Sequence, residues 1–265
     1  MHRNVRTCLF IIGLTALPAA AWADEDAASP CAGLPSYGAL KSALIAAVQA
    51  ETSGLDFQMW GTIVNRDGVV CAVAFSGADR GAQWPGSRAI SAQKANTANG
   101  FGLDGLALST ANLYSAVQPG GSLYGLQHSN PVDTDVAYGG SPKSYGTAHD
   151  PMVGRRIGGV NVFGGGLGLY NTQHKIVGGV GVSGDTSCAD HMIAWRVRAN
   201  LGFDHLGSVV AGPAKLFAGD PTHPDNIIYD IAPNPAGGTG TSASGFGHPT
   251  CLNTASAADL PPVSP

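Results

Sequence analysis

Residues 176–184 read Ile-Val-Gly-Gly-Val-Gly-Val-Ser-Gly, and two readings compete for them. As G-x-G-x-x-G, the run from Gly179 to Gly184 matches the dinucleotide fingerprint, with Asp204 about 20 residues further on. The match is formal only. In that fingerprint the glycines open a helix after a βαβ unit, whereas here they alternate with Val180 and Val182 as the residues of a strand do. Residues 175–183 are therefore read as a strand whose one face lacks side chains at Gly179 and Gly181. Such positions let a bulky group or another backbone approach a sheet. A turn at residues 171–174 precedes the strand. The amphipathic stretch 187–200 follows it as a helix, capped by Asp185 or Ser187, with Met192, Trp195 and Ala199 inward.

Further out, the same pattern recurs. Residues 59–64 and 69–75 are β-rich runs around Asn65-Arg66-Asp67-Gly68, an Asp-Gly hairpin turn. Both hairpins lead to Ser-Gly (Ser76-Gly77 and Ser183-Gly184), as expected of two similar hairpins in one sheet. Residues 37–51 carry Leu40, Leu44, Ala47 and Val48 at helical spacing behind Ser36 as N-cap. Residues 89–101 and 109–117 read as two further helices. Residues 119–153, rich in Gly, Pro, Ser, Asp and Tyr, form a long excursion of the kind that is functional or packed as its own unit. Order returns over 158–170. From 201 the chain is an irregular Gly/Pro-rich extension, with 226–231 (NIIYDI) its one strand-like run.

Composition narrows the class. Charged residues are 12% of 265, about half the usual share, and the formal net charge is −4. A charge-poor, mildly acidic chain is unsuited to electrostatic binding of nucleic acid or anionic membranes. His2, Arg3 and Arg6, then the apolar 8–17, then Ala21-Trp22-Ala23, read as a Sec-type signal peptide over 1–23. A periplasmic or secreted protein is expected. The apolar stretch is too short to span a bilayer.

Removing that leader takes Cys8 and leaves Cys31, Cys71, Cys188 and Cys251, which in an exported protein favour two disulfides. Three pairings exist. Cys31–Cys71 with Cys188–Cys251 is preferred, the first tying the chain start to a central strand and the second pinning the extension. A metal site is the rival for Cys188-Ala189-Asp190-His191, whose C-x2-H spacing lacks a second close pair. Ser183 does not satisfy G-x-S-x-G, because Asp185 follows Gly184, and no catalytic residue is assigned. Among the histidines His191 is best placed, in the first turn of the helix after the glycine strand, where the dipole favours neutral imidazole. Lys94, with Arg88 six residues earlier, is a candidate pair of cations for carboxylates.

Four blocks carry a resemblance. Thr62 to Gly68 is similar to a "V-x-D-x-x-G" hairpin with Asn65 where Asp is common, and Ala89 to Ala98 to an "A-x-x-K-A-x-T-A" helix. Gly164-Gly165-Gly166-Leu167 resembles "G-G-x-P" with Leu for Pro, and 176–184 with Asp190, Ile193 and Ala194 resembles "V-G-x-I-G-V-S-G … D-x-x-I-A". Together they resemble the GlcG/HbpS-like haem-binding family, whose relatives include the C-terminal domain of PduO-type proteins, over roughly residues 37–197.

The resemblance implies one α/β domain of the α+β type. A roughly five-stranded antiparallel sheet flanked by helices would occupy residues 24–200, in a homo-oligomer. It implies haem, or another flat tetrapyrrole, as ligand. On that expectation haem lies against Gly179, Gly181 and Ser183 or between subunits, His191 or a Tyr ligates iron, and Lys94 or Arg88 pairs with the propionates. Two other functions stay open: a haem-degrading enzyme, and a non-catalytic accessory or sensory subunit docking on a secreted partner through the 119–153 loop.

Overall fold

A computed structural model describes residues 29–207 and 216–265; the expected signal peptide lies outside the described residues. The elements in chain order begin with α1 (Tyr37–Ala50), β1 (Trp60–Asn65), β2 (Val70–Phe75), α2 (Ser87–Phe101) and the two-residue β3 (Leu106–Ala107). After these come the short α3 (Thr134–Tyr138), β4 (Gly166–Tyr170), β5 (Ile176–Ser183) and α4 (Ser187–Asn200). Three two-residue strands close the chain: β6 (Leu216–Phe217), β7 (Ile231–Ala232) and β8 (Thr241–Ser242).

The two hairpins share one antiparallel sheet in the order β2-β1-β5-β4, so that β1 and β5 are central. The sheet has four strands where about five are expected. The run 226–231 does not supply the fifth. The Ile227 amide donates to His191 and the Ile228 carbonyl accepts from His248, which leaves little ladder for a sheet to use. Residues 109–117 form two 3-10 turns and not a helix, and of 158–170 only β4 is strand.

Alternation sorts the sheet into two faces. Ile63, Leu167, Leu169, Val180 and Val182 face α1 and α4 and build the larger core with Leu40, Leu44, Met192 and Trp195. Trp60, Val64 and Val73 face the other way, toward Ala89, Ala92 and Ala95 of α2 and toward Val136, Met152 and Ile157. The last three come from the excursion and the chain just after it. The excursion is thus built into the second core and is no detachable arm.

Ser36 caps α1 as expected, its side chain accepting from the Ala39 amide. Thr186, and neither Asp185 nor Ser187, caps α4. Asp185 instead accepts the Leu55 and Phe57 amides and holds the segment that leads into β1. Nearly all of α4 is buried, well beyond an amphipathic stripe, because the extension lies across its outer side. Trp195 Nε1 donates to the Pro261 carbonyl at 2.9 Å and Arg198 pairs with Asp225 at 2.6 and 2.8 Å. Both expected disulfides are present, Cys31–Cys71 and Cys188–Cys251. Cys71, however, lies on the edge strand β2 and not on a central one. Among the described residues no helix is long and apolar enough to cross a membrane.

Candidate functional site

The face of β5 without side chains is occupied. A Cβ on Gly181 would stand 2.5 Å from the Ala95 amide nitrogen and still closer to the Ser91 carbonyl oxygen. One on Gly179 would run into the Ala95 carbonyl, and one on Gly166, the ladder partner of Gly181, would be 2.5 Å from the Lys94 carbonyl. The guest on this face is the backbone of α2. Ser91, Ala92 and Ala95 give that helix a smooth side, and Thr62 and Ser91 join hydroxyls across the contact at 2.8 Å. The expectation that haem lies against Gly179, Gly181 and Ser183 is therefore corrected: there is no cleft there, and Ser183 is buried opposite Trp60 in the ladder.

The two expected propionate cations are also taken. Lys94 Nζ is fully buried, 2.6 Å from Asp190 Oδ2 and 3.1 Å from the Val182 carbonyl, and it lies 4.6 Å over the Phe163 ring. Asp190 Oδ1 accepts the Gly184 and Asp185 amides at 3.0 and 2.9 Å, so one carboxylate ties α2 to the turn between β5 and α4. Arg88 Nε donates to Asp150 Oδ2 at 2.9 Å, its Nη1 donates to the Ala137 carbonyl at 2.6 Å, and its plane covers the Tyr145 ring. Neither cation faces an opening.

His191 is buried in the third layer of this arrangement. Its Nε2 accepts the Ile227 amide and meets Asn226 Oδ1, each at 3.1 Å, while Nδ1 has no partner among the described residues. A haem iron cannot reach it, since Asn226 and Ile227 stand between the imidazole and the surface. Close by is a second buried imidazole, His248, with its ring 5.1 Å from Tyr114 and its Nδ1 4.0 Å from Cys188 Sγ.

Burial holds both imidazoles neutral, pushing His191 down to about 3 and His248 to about 4. Burial also pushes the Asp190 carboxyl up to about 6 against the pull of Lys94. From about pH 4 to 6.5 the unfolded chain holds two imidazole protons that the folded chain lacks, so this stability is lost as pH falls. Asp190 opposes them below its folded value of about 6, because there the folded chain holds the extra proton. Two imidazoles outweigh one carboxyl, so the three groups together lose stability as pH falls from 6 to 4. Urea midpoints measured from pH 7 to 4 should fall accordingly, and His248→Gln should flatten that window. An unchanged slope in the variant removes His248 from the account.

The outer surface where the extension crosses α4 carries a groove of about 540 Å3. Ala218, Gly219, Ile227, Ile228 and Ala258 share its lining with Asp220, Thr222, Asn226 and Ser244, and His223 stands in its wall. The His223 ring packs 5.6 Å from Trp195, Nε2 is 3.0 Å from the Leu260 carbonyl, and Nδ1 is 3.0 Å from Thr222 Oγ1 and 3.3 Å from Asp220. Sequence reading missed this groove, and with it Asp150, Asp225, His248 and the role of His223. One signal existed. In a chain with so few charges, Arg198 on a helix that must pack needs a carboxylate, but nothing local points to Asp225.

The family model described as "Haem degrading protein HbpS-like" matches residues 39–198, more than half of the chain. The chain belongs to the HbpS-like family. The match spans α1 to α4 and stops before the extension, so the groove at His223 and the residues that bury His191 are additions to the HbpS-like domain. Similar solved structures include a PduOC:haem complex, with 24% identity and a TM-score of 0.43 over 62% of this chain and 89% of that one. The Klebsiella pneumoniae protein ORFY has 24% identity and a TM-score of 0.41 over 62% and 88%. A double mutant of Streptomyces reticuli HbpS has 18% identity and a TM-score of 0.39 over 71% and 99%. Comparison with curated protein sequences gives no match.

Proposed function

We propose that this HbpS-like chain is an exported haem-binding protein that takes haem in the groove that the extension forms at His223. Family membership over residues 39–198 is the observation that carries haem as the ligand. The groove supports the location: its volume lies in the range of small-molecule sites, half of its lining residues are apolar, and it holds one imidazole, whose Nδ1 would leave Thr222 and Asp220 to meet iron. A carbonyl on Nε2 fixes the His223 ring as second-layer acceptors fix ligating histidines. No Lys or Arg lines the groove, so the propionates stay in water at its open side. Export is supported by the leader-like residues 1–23 and by two disulfides, which persist in oxidising compartments.

Haem titration of the purified chain tests this. A shifted Soret band that saturates at micromolar haem is expected, with affinity lowered about tenfold or more and the band moved in His223→Ala. No shift at micromolar haem rejects haem binding, and a normal band in His223→Ala rejects the location. Adding peroxide or a reductant to the complex separates carrier from enzyme. Loss of the band with iron release, beyond a free-haem control, assigns haem degradation.

A further inference from the structure

Cys188, Cys251 and His248 bring two sulfurs and an imidazole nitrogen within 4.8 Å of one another. Here the sulfurs are joined. Contacts that do not involve the S–S bond also hold them together. Before Cys251, Ser115 Oγ donates to the Gly247 carbonyl at 2.6 Å; after it, Asn253 Nδ2 reaches the Thr52 and Gly54 carbonyls at 3.4 and 3.3 Å. Cys188 is fixed in the first turn of α4. Opening the bond therefore leaves two thiols side by side next to His248.

We propose that the reduced chain binds one thiophilic metal ion of the zinc type through Cys188 Sγ, Cys251 Sγ and His248. The reductant is a dithiol. One of its thiolates attacks the Sγ of the half-exposed Cys251, the S–S bond breaks, and Cys188 leaves as thiolate. The second thiolate then displaces Cys251 and closes the reductant's own disulfide. Two electrons and two protons pass to the chain, and the ion later releases both protons as it binds.

The surroundings suit anionic sulfur. The Cys188 amide, in the first turn of α4, donates to Cys251 Sγ at 3.2 Å, and the Ser187 hydroxyl is 3.5 Å from the same sulfur. His248 Nδ1 faces Cys188 Sγ at 4.0 Å and now meets the Pro249 carbonyl at 2.7 Å. An ion on Nδ1 moves that proton to Nε2, so the imidazole gives up both the Pro249 carbonyl and the Gly164 amide, which now donates to Nε2 at 3.4 Å. Two thiolates and one imidazole leave a fourth position open. A separate groove of about 250 Å3, bordered by His248, Pro249 and Thr250, gives water and the ion a path to it. The C-x2-H spacing of the sequence points at the wrong histidine, because the His191 ring is turned to Ile227 and the extension supplies the third ligand instead. The site does not depend on haem binding.

The test uses the full chain, reduced with dithiothreitol and desalted without air, and titrated with Co(II). One cobalt per chain is expected, with thiolate-to-cobalt charge-transfer absorption in the near ultraviolet, lost on adding Zn(II). Zn(II) should protect Cys188 and Cys251 from alkylation while Cys31 and Cys71 stay reactive, a measurement on the unaltered sequence. His248→Ala should weaken binding at least tenfold, and the oxidised chain should not bind. No charge-transfer band, equal protection of Cys31, Cys71, Cys188 and Cys251, an unchanged His248→Ala titration, or equal binding by the oxidised chain each overturns the site.

Discussion

Gly181→Ala is expected to cost about 3 kcal/mol or more, although it adds a single methyl group. Overpacking is tolerated when the neighbour is the end of a flexible side chain. Here the neighbours are the Ser91 carbonyl and the Ala95 amide, backbone groups inside a helix, with 2.5 Å available to the second. The helix cannot retreat cheaply. Lys94 is tied to Asp190 from the same turn, and Ser91 is hydrogen-bonded to Thr62 on the neighbouring strand. Gly100 supplies the opposite sign from the same chemical change. It lies in α2 with open space where a Cβ would go, so Gly100→Ala should stabilise by about 0.5–1 kcal/mol. Urea midpoints of the two variants should move in opposite directions. A Gly181→Ala midpoint equal to that of the parent chain means that α2 does not press on β5 as described.

That glycine strand also shows how far sequence reading reaches. Period-two alternation, the Asp-Gly turn and helical spacing placed β1, β2, β5, α1, α2 and α4 within a residue or two, because each signal is local, whereas β4 begins eight residues later than the ordered run read at 158–170. The residues around Gly179 and Gly181 announced a close approach just as plainly. What they could not announce was the occupant, because a ligand plane and a helix backbone demand the same missing Cβ. The alanine-rich face of α2 was the available clue, since a side of Ser91, Ala92 and Ala95 is what a helix needs to reach a glycine strand. Lys94 and Arg88 were similarly legible as unusual and not legible as paired. Their partners, Asp190 and Asp150, lie 96 and 62 residues away. The His223 groove and the burial of His191 depend on an extension with almost no periodicity; the Cys188–Cys251 pairing marks where it meets α4, but the rest of its path is held by side-chain hydrogen bonds that no spacing encodes.

Removing the charge of Asp190 should be the other severe lesion, with Asp190→Ala costing about 3–5 kcal/mol. The loss has two parts. Lys94 is left as a buried ammonium whose burial already drives its pKa down, and the Gly184 and Asp185 amides lose their acceptor at the turn into α4. Asp190→Asn keeps an oxygen for those amides and isolates the charge, so it should cost less than the alanine. The reciprocal change gives a sharper readout. In Lys94→Met the carboxyl keeps its two amides but loses the cation that pulls its pKa down, so its folded pKa rises above the present value of about 6. A carboxyl whose folded pKa is raised contributes stability at low pH that is lost as pH rises through that value. Lys94→Met should therefore be closest to the parent chain near pH 5 and fall away toward pH 8, and Lys94→Met combined with Asp190→Asn should remove that fall. If the single Lys94 variant loses the same stability at both pH values, Asp190 is not confined as a buried carboxylate, and the link between α2 and the β5–α4 turn is packing alone.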